Sequence, residues 1–339
     1  MTRRAKILLS LFALLLVLAA GGWTLYWHGL ARSVEGRLAT WIAERRAEGW
    51  HVDHDGVQRA GFPFTLHLTV LRPEIARPDG LVWRGADLTA TVPPFQPGRV
   101  TLAAPGRHEV QMPLGERLLI EAQEVDGLVY LGFGGVTEMG LRLAQGSLTA
   151  GRAPAQGFEE VTAMVQPLPP PPDHTQPSLR FSLGLLGLEM PADFPSVLGP
   201  RIERARLAGA VMGRMPQDEG PASLAAWRDD GGTVEIEALQ LNWSTLSLAA
   251  EGTLALDREL QPEAALTAQV QGFQQAVEGF RSEGAIGRQE AEMLKLVLGL
   301  ISRPGADGRP SLTVPVTVQD RTLSVGPVPV TRLPRVVWE

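Results

Sequence analysis

The residues best suited to chemistry lie close together near position 50. His51, Asp53, His54 and Asp55 form the densest group of metal-type ligands in the sequence. In a strand, His51, Asp53 and Asp55 would share one face while His54 would point to the other. Zinc requires three or four converging ligands, and the remaining histidines are scattered singly. We therefore interpret the group as a solvated strand face; a metal-dependent hydrolase using His51, Asp53 and His54 is a remote alternative.

Other enzyme signatures are incomplete. The string GFGG at 132–135 lacks the later glycine and the helix of a dinucleotide-binding fingerprint, and no phosphate-binding loop or nucleophile elbow occurs. The absence of cysteine excludes thiolate metal sites, iron–sulfur clusters, cysteine nucleophiles and disulfides. Adjacent acidic residues such as Glu159 and Glu160 would diverge in a strand. The sequence predicts no enzymatic activity and no cofactor.

Composition limits the class of protein. The chain has 339 residues, 44% hydrophobic and 20% charged, which is typical of a globular protein rather than a disordered one. Its length favours two domains or one large all-β domain. The formal net charge of −6 and the scattered arginines argue against nucleic acid as a partner, because phosphate binding requires clustered positive charge.

An uncharged run from Ile7 to Trp27 follows the cationic residues Arg3, Arg4 and Lys6. A membrane-spanning helix requires about 20 apolar residues, so this run predicts an uncleaved anchor. Its aromatic end is typical of a membrane–water interface. The residues chosen to represent the anchor are Ile7, Leu11, Leu15, Leu18, Trp23 and Trp27.

A cleaved signal peptide is the alternative to the anchor, because Ala19, Ala20 and Gly21 are small residues suited to a cleavage site. We favour the anchor, since the run continues past these residues. The short N-terminal head is the easier part to retain in the cytoplasm. We therefore expect a single-pass membrane protein with a cytoplasmic N-terminus and residues 28–339 outside the cytoplasm, which in a bacterium means a periplasmic body.

The part after the predicted span has the pattern of one helix followed by strands in which apolar and polar residues alternate. Apolar residues recur at helical spacing over 30–48, and Gly49 provides a stop. We expect this helix to cover one face of the following sheet; a helix lying in the lipid interface is the alternative. Apolar and polar residues then alternate from Phe62 to Val70, which predicts a half-buried strand.

The predicted fold class is mainly β (α+β), an N-terminal transmembrane helix followed by curved antiparallel meanders with a few covering helices, in two similar halves. The proline-rich segment 166–177 suggests a linker or an edge-covering loop. Further helices are predicted near 221–228 and 273–303, and a proline-interrupted tail from Pro327. The predicted divisions are 1–28, head and anchor; 29–165, first half; 166–177, linker or loop; and 178–339, second half with a helical insertion at 273–303.

Several strings resemble a known family. They are VQRAGFPF at 57–64, WRDDGGT at 227–233, LNWSTLSLAAEGTLALD at 241–257 and PVPVTRL at 327–333. With the N-terminal span, they resemble the bacterial domain of unknown function 2125 over nearly the whole chain. That family implies an envelope-facing, inner-membrane-anchored protein, not a reaction. More loosely, the meanders are similar to AsmA-like envelope proteins, which implies curved sheets with apolar grooves associated with phospholipid transport.

Function then depends on what covers the apolar strand faces. The predicted helices are too few to cover a dozen strands, so either two sheets pack face to face or a curled sheet leaves an apolar groove. The groove predicts a protein that binds or passes lipid-like molecules, with phospholipid as the candidate ligand. The alternative is a non-catalytic scaffold with a closed core that binds other envelope proteins. The residues predicted to line the groove are Phe62, Phe64, Leu66, Leu88, Trp243, Leu246 and Leu254.

Overall fold

The computed structural model describes residues 3–113, 115–191, 198–215, 220–282, 287–304 and 308–338. These residues form mostly antiparallel strands with four helices, the first of them long and apolar, which confirms the predicted fold class. The chain divides into two compact units, residues 1–133 and 134–339. The proline-rich segment 166–177 therefore belongs to the second unit, where it joins two strands that pair with each other.

The first unit begins with a single 45-residue helix, α1 (Arg3–Ala47). The predicted anchor and the predicted covering helix are thus one unbroken element. Within the described residues, one helix is long and apolar enough to cross a membrane. Gly49, with a φ of 87°, follows the helix end as predicted.

Five bent strands follow, arranged as a meander in chain order. Each of the first four consists of two short strands separated by a break, and the fifth is continuous. The short strands are β1 (His51–Asp53), β2 (Gly56–Ala60), β3 (Leu66–Leu71), β4 (Glu74–Ala76), β5 (Val82–Arg84), β6 (Leu88–Val92), β7 (Arg99–Ala103) and β8 (Gly106–Gln111), and the continuous one is β9 (Arg117–Gly132).

The breaks lie beside one another, so the first four strands are interrupted along one line while β9 continues across it. One half pairs in the order β2-β3-β6-β7-β9 and the other in the order β1-β4-β5-β8-β9. Arg72, with a φ of 44°, forms one break, where its backbone N–H donates to the Asp87 carboxylate at 3.0 Å.

The core of the first unit forms where α1 lies on the sheet. Leu66, Leu68 and Val70 face the same side as their partners Val92, Ala90 and Leu88. Trp27 and Ala31 of α1 pack on this side against Leu66, which is only 1% exposed. The helix therefore covers the apolar sheet face, as predicted.

The second unit is a longer meander. Its strands are β10 (Gly135–Ala150), β11 (Gln156–Pro167), β12 (Pro177–Glu189), β13 (Arg201–Met212), β14 (Val234–Trp243), β15 (Leu246–Leu256), β16 (Pro262–Gln271), β17 (Arg303–Pro304), β18 (Pro310–Gln319), β19 (Thr322–Val325) and β20 (Val328–Arg332). All neighbours are antiparallel and follow chain order, except that β17 pairs with β18 alone. The second unit opens on a strand, whereas the first opens on a helix.

Helices interrupt this meander at the two predicted places. Helix α2 (Pro221–Asp229) separates β13 from β14, and α3 (Phe273–Ser282) and α4 (Arg288–Ile301) follow β16. Pro221 at the start of α2 suits the first helical position, where its missing N–H leaves no bond unmade. The predicted proline-interrupted tail contains β20. The sequence pattern did not predict this strand, because prolines interrupt the segment.

Candidate functional site

A candidate site of the second unit is a continuous apolar face across eight strands, β10 to β16 and β18. Strand register aligns the apolar side chains of successive strands into transverse rows. The central row consists of Leu141, Ala163, Leu183, Leu207, Leu239, Ala250, Ala268 and Val314. At about 4.8 Å between strands, this row is about 34 Å long.

Three further rows run parallel to the central one. One lies on one side, from Leu143 through Leu185 and Leu241 to Leu312. Two lie on the other side: one starts at Met139 and contains Phe181 and Leu266, and the next contains Leu179 and Leu254. We call these four rows the apolar face. Adjacent positions point to the opposite side.

The opposite side of the same strands is polar. Its central positions include Arg142, Thr162, Arg206, Gln240 and Thr313. Arg142 and Glu160 form an ion pair there at 2.7 Å. Alternation of this kind is typical of a sheet with one face in water, so the sequence itself indicates which side is apolar.

The apolar face remains partly open. Met139, Leu141 and Leu183 are exposed, and Leu183 keeps 48% of its surface accessible. Helix α3 lies beside β15, and α4 lies beside β18. Apolar side chains in the middle of the face, such as Leu207 and Leu239, are half-buried. This differs from the first unit, where Leu66 is buried beneath a helix.

Small residues shape the surface between the larger side chains. Register shifts occur between Ala208 and Gly209 and between Ile236 and Leu239, which are bulges of the kind that increase strand twist. A Cβ on Gly209 would lie 3.0 Å from the Phe181 ring and 2.3 Å from the Glu235 carbonyl oxygen. Glycine at this position therefore permits close approach of the Phe181 ring to the strand.

A cavity of about 620 Å³ lies at the end of the β14–β15 hairpin. Leu246 and Phe273 contribute apolar surface, and polar residues that include Glu203, Asn242 and Gln275 complete the lining. Gly272, with a φ of 75°, passes so close to Thr245 that a Cβ would lie 1.9 Å from the Thr245 carbonyl oxygen. The cavity is a recess of mixed polar and apolar lining beside the apolar face.

The seven residues predicted to line a groove divide between the two units. Leu254 lies on the apolar face, and Trp243 and Leu246 point to the same side one row beyond it. The Trp243 indole donates to the Gly199 carbonyl at 3.0 Å. Leu66 and Leu88 lie on the sheet face of the first unit that α1 covers, so Leu66 is core rather than groove wall. Phe62 and Phe64 lie in the turn before β3, which begins only at Leu66.

Sequence reasoning missed the more exposed part of the apolar face, formed by Leu141 and Leu183. The alternation that identifies them is visible in the sequence over 140–150 and 178–190. Exposure was not visible, because it depends on which helices cover which strands. The predicted anchor residues Leu11, Leu15 and Leu18 are exposed on α1, whereas Trp27 is buried; the side chain of Ile7 lies outside the described part.

The group near residue 50 does not converge. His51 and Asp53 lie on β1 with exposed side chains, and Asp55 forms an ion pair with Arg72. No group of three histidine, aspartate or glutamate side chains arranged for a metal occurs among the described residues.

An ion-paired carboxylate lies between helices α3 and α4. Arg281 and Lys295 hold the pKa of Glu278 down to about 2, because both donate to its carboxylate. This links α3 to α4.

Comparison with known proteins identifies the family of the chain but no individual relative. No curated protein and no solved structure matches the chain. The model of a family described as uncharacterized proteins conserved in bacteria matches residues 27–334, which is nearly the whole chain. The chain therefore belongs to the DUF2125 family of uncharacterized bacterial proteins.

Proposed function

We propose that the protein is a single-pass inner-membrane protein whose periplasmic body binds the acyl chains of lipid-like molecules on the apolar face of its second unit. The apolar face is the single observation on which this proposal rests. An AsmA-like role in carrying phospholipid through the envelope is the form of the proposal that the sequence resemblance suggests.

The energetics favour an apolar chain as the ligand. Each methylene removed from water contributes about 0.8 kcal/mol, so sixteen methylenes would contribute about 13 kcal/mol before losses. Association costs an estimated 4–15 kcal/mol in lost freedom, so a long chain can be held without polar contacts but a short one cannot. The central row offers about 34 Å of apolar surface, which suits a long chain.

The partial exposure of the apolar face also supports a binding site. A fully covered face would be core, and an isolated exposed leucine would need no explanation. A continuous apolar surface larger than a few hundred Å² on a soluble body is characteristic of a binding site. Leu141, Ala163 and Leu183 form the open end of the central row, and that end is where we expect the chain to enter.

Native mass spectrometry of the full chain, released gently from detergent, tests the proposal. We expect wild type to retain phospholipid mass and Leu183→Glu to lose it, because a charge at the open end would have to be desolvated. Ser182→Glu is the matched control, since the neighbouring residue points to the polar side. Equal lipid retention in both variants, or none in wild type, would contradict acyl-chain binding.

A scaffold that binds other envelope proteins is the second candidate function. Helix α4 supports it, because Met293, Leu296 and Leu300 are exposed at helical spacing. Wild type that retains no lipid, together with a partner cross-linked at Leu296 and lost in Leu296→Glu, would favour the scaffold.

A further inference from the structure

Three segments at one end of the first unit's sheet present exposed phenylalanines. The turn at 61–65 joins β2 to β3, the turn at 93–98 joins β6 to β7, and Phe133 follows the end of β9. The backbone N–H of Leu131 donates to the Gly98 carbonyl at 2.7 Å, which places the end of β9 beside the second turn. We call Phe62, Phe64, Phe95 and Phe133 the phenylalanine rim.

The rim is exposed and uncharged. Phe64 is 77% exposed, Phe95 is similarly open and Phe133 is fully exposed. No charged residue occurs in 61–65, 93–98 or 132–135. Exposed aromatic side chains at three successive loops are costly in water, since burying each would remove about 150–250 Å² from solvent. Their clustering at one end therefore indicates a surface that is covered in use.

The opposite end of the same sheet is charged. Its turns, which join β4 to β5 and β8 to β9, contain Arg77 and Asp79 in the first, and Glu116 next to Arg117 in the second. Arg77 and Asp79 form an ion pair at 3.0 Å. The sheet of the first unit thus has one uncharged, aromatic end and one charged end.

Helix α1 passes the rim on its way out of the unit. Trp23 donates to the Pro63 carbonyl at 2.9 Å, Tyr26 donates to the Pro94 carbonyl at 2.7 Å, and Trp27 donates to the Thr65 carbonyl at 2.9 Å. Trp23 also stacks on Phe95 with ring centroids 4.7 Å apart. These contacts fix the rim to one level along the helix.

That level coincides with the membrane boundary if α1 is the anchor. From Lys6, the last charge before the apolar run, Trp23 lies seventeen residues on and Tyr26 twenty residues on. At about 1.5 Å per residue these are about 26 and 30 Å. The hydrocarbon core is about 30 Å thick. Turns bonded to Trp23 and Tyr26 therefore reach the edge of that core.

We propose that the phenylalanine rim inserts into the interfacial layer of the same bilayer that α1 crosses, so that the first unit is held against the membrane at a fixed depth. The occupant is the lipid bilayer, because the span continues directly from the rim and the rim has no charge to repel it. In this layer the phenylalanine side chains are removed from water, which is favourable. This inference rests on the membrane anchor of the proposed function.

Depth measurement on single-cysteine variants tests the proposal. The natural chain has no cysteine, so one introduced at Phe64 or Phe133 can be labelled alone with an environment-sensitive fluorophore. The full chain is reconstituted in phosphatidylcholine vesicles that contain a doxyl-labelled lipid quencher. Leu15→Cys reports the span, and Glu116→Cys, on the charged end, is the matched control.

We expect labels at Phe64 and Phe133 to be quenched several-fold more than the label at Glu116, approaching that at Leu15. Quenching at Leu15 together with Phe64 and Phe133 values equal to that of Glu116 would overturn the rim proposal and leave the anchor intact. No quenching at Leu15 would overturn the anchor itself, and the rim with it. Unchanged circular dichroism in all four labelled chains checks that each remains folded.

Discussion

The two units treat an apolar sheet face in opposite ways. In the first unit, α1 lies along the face, and Leu66 is buried against Trp27 and Ala31. In the second unit, the apolar face spans eight strands, and Leu183 at its open end stays half exposed. The same alternation of residue types therefore gives a stability core in one place and a candidate binding surface in the other, and coverage by a helix makes the difference.

The largest expected effect separates the two faces directly. Leu66→Ala removes side-chain volume from a closed core, which costs about 2–5 kcal/mol in such sites. Leu183→Ala removes the same atoms from an open surface, where substitutions usually change stability by about 0.5 kcal/mol or less. Urea unfolding in mild detergent, followed by far-ultraviolet circular dichroism, measures both. Equal losses would mean that the two faces are equally buried.

A smaller effect is expected where α1 meets the rim of the first unit. Trp27→Phe removes the indole N–H that donates to the Thr65 carbonyl and leaves that carbonyl short of a partner. A lost partner of a buried group costs about 1–3 kcal/mol. The free energy of unfolding measures the loss.

Trp41→Phe is the control for this change, since Trp41 is exposed on the same helix. Its stability should stay within about 0.5 kcal/mol of wild type. A control that loses as much as Trp27→Phe would show that the loss comes from the tryptophan ring rather than the hydrogen bond.

The smallest effect concerns pH and is confined to α3 and α4. Arg281 and Lys295 hold the pKa of Glu278 at about 2, below its ordinary value of 4.5. A depressed carboxyl pKa stabilises the folded form above the ordinary pKa, and this contribution is lost as pH falls through the folded value. As pH falls from about 4.5 to 2, the protection factors of the α3 and α4 amides, which correct for the pH dependence of intrinsic exchange, should therefore fall.

Glu278→Gln is the comparison for this titration. Since glutamine has no carboxyl group to protonate, the protection factors of its α3 and α4 amides should change less over the same pH range. Parallel exchange profiles in wild type and variant would contradict a role for the Glu278 ion pairs. Added salt should reduce the difference at neutral pH, because these groups are exposed and screened.

The sequence predicted helices and strands well where apolar runs or regular alternation are clear. The apolar run and the helical stripe after it predicted α1, and alternation predicted most strands of the second unit. It failed at Phe62 and Phe64, which continue the alternation of β3 but lie in a turn closed by hydrogen bonds from Phe64 and Thr65 to the Gly61 carbonyl. A period of two describes residue types and not whether the backbone is still extended.

The sequence by itself determined that the chain has an apolar N-terminal helix, that its body is antiparallel β, and which residues of each strand are apolar. These follow from hydrophobic runs and from side-chain periodicity, which are local properties. Only the tertiary structure decided that Leu66 is core while Leu183 is open, and that Phe64, Phe95 and Phe133 meet at one end of a sheet. Coverage and convergence depend on pairing between residues far apart in the chain, and no local period encodes that pairing.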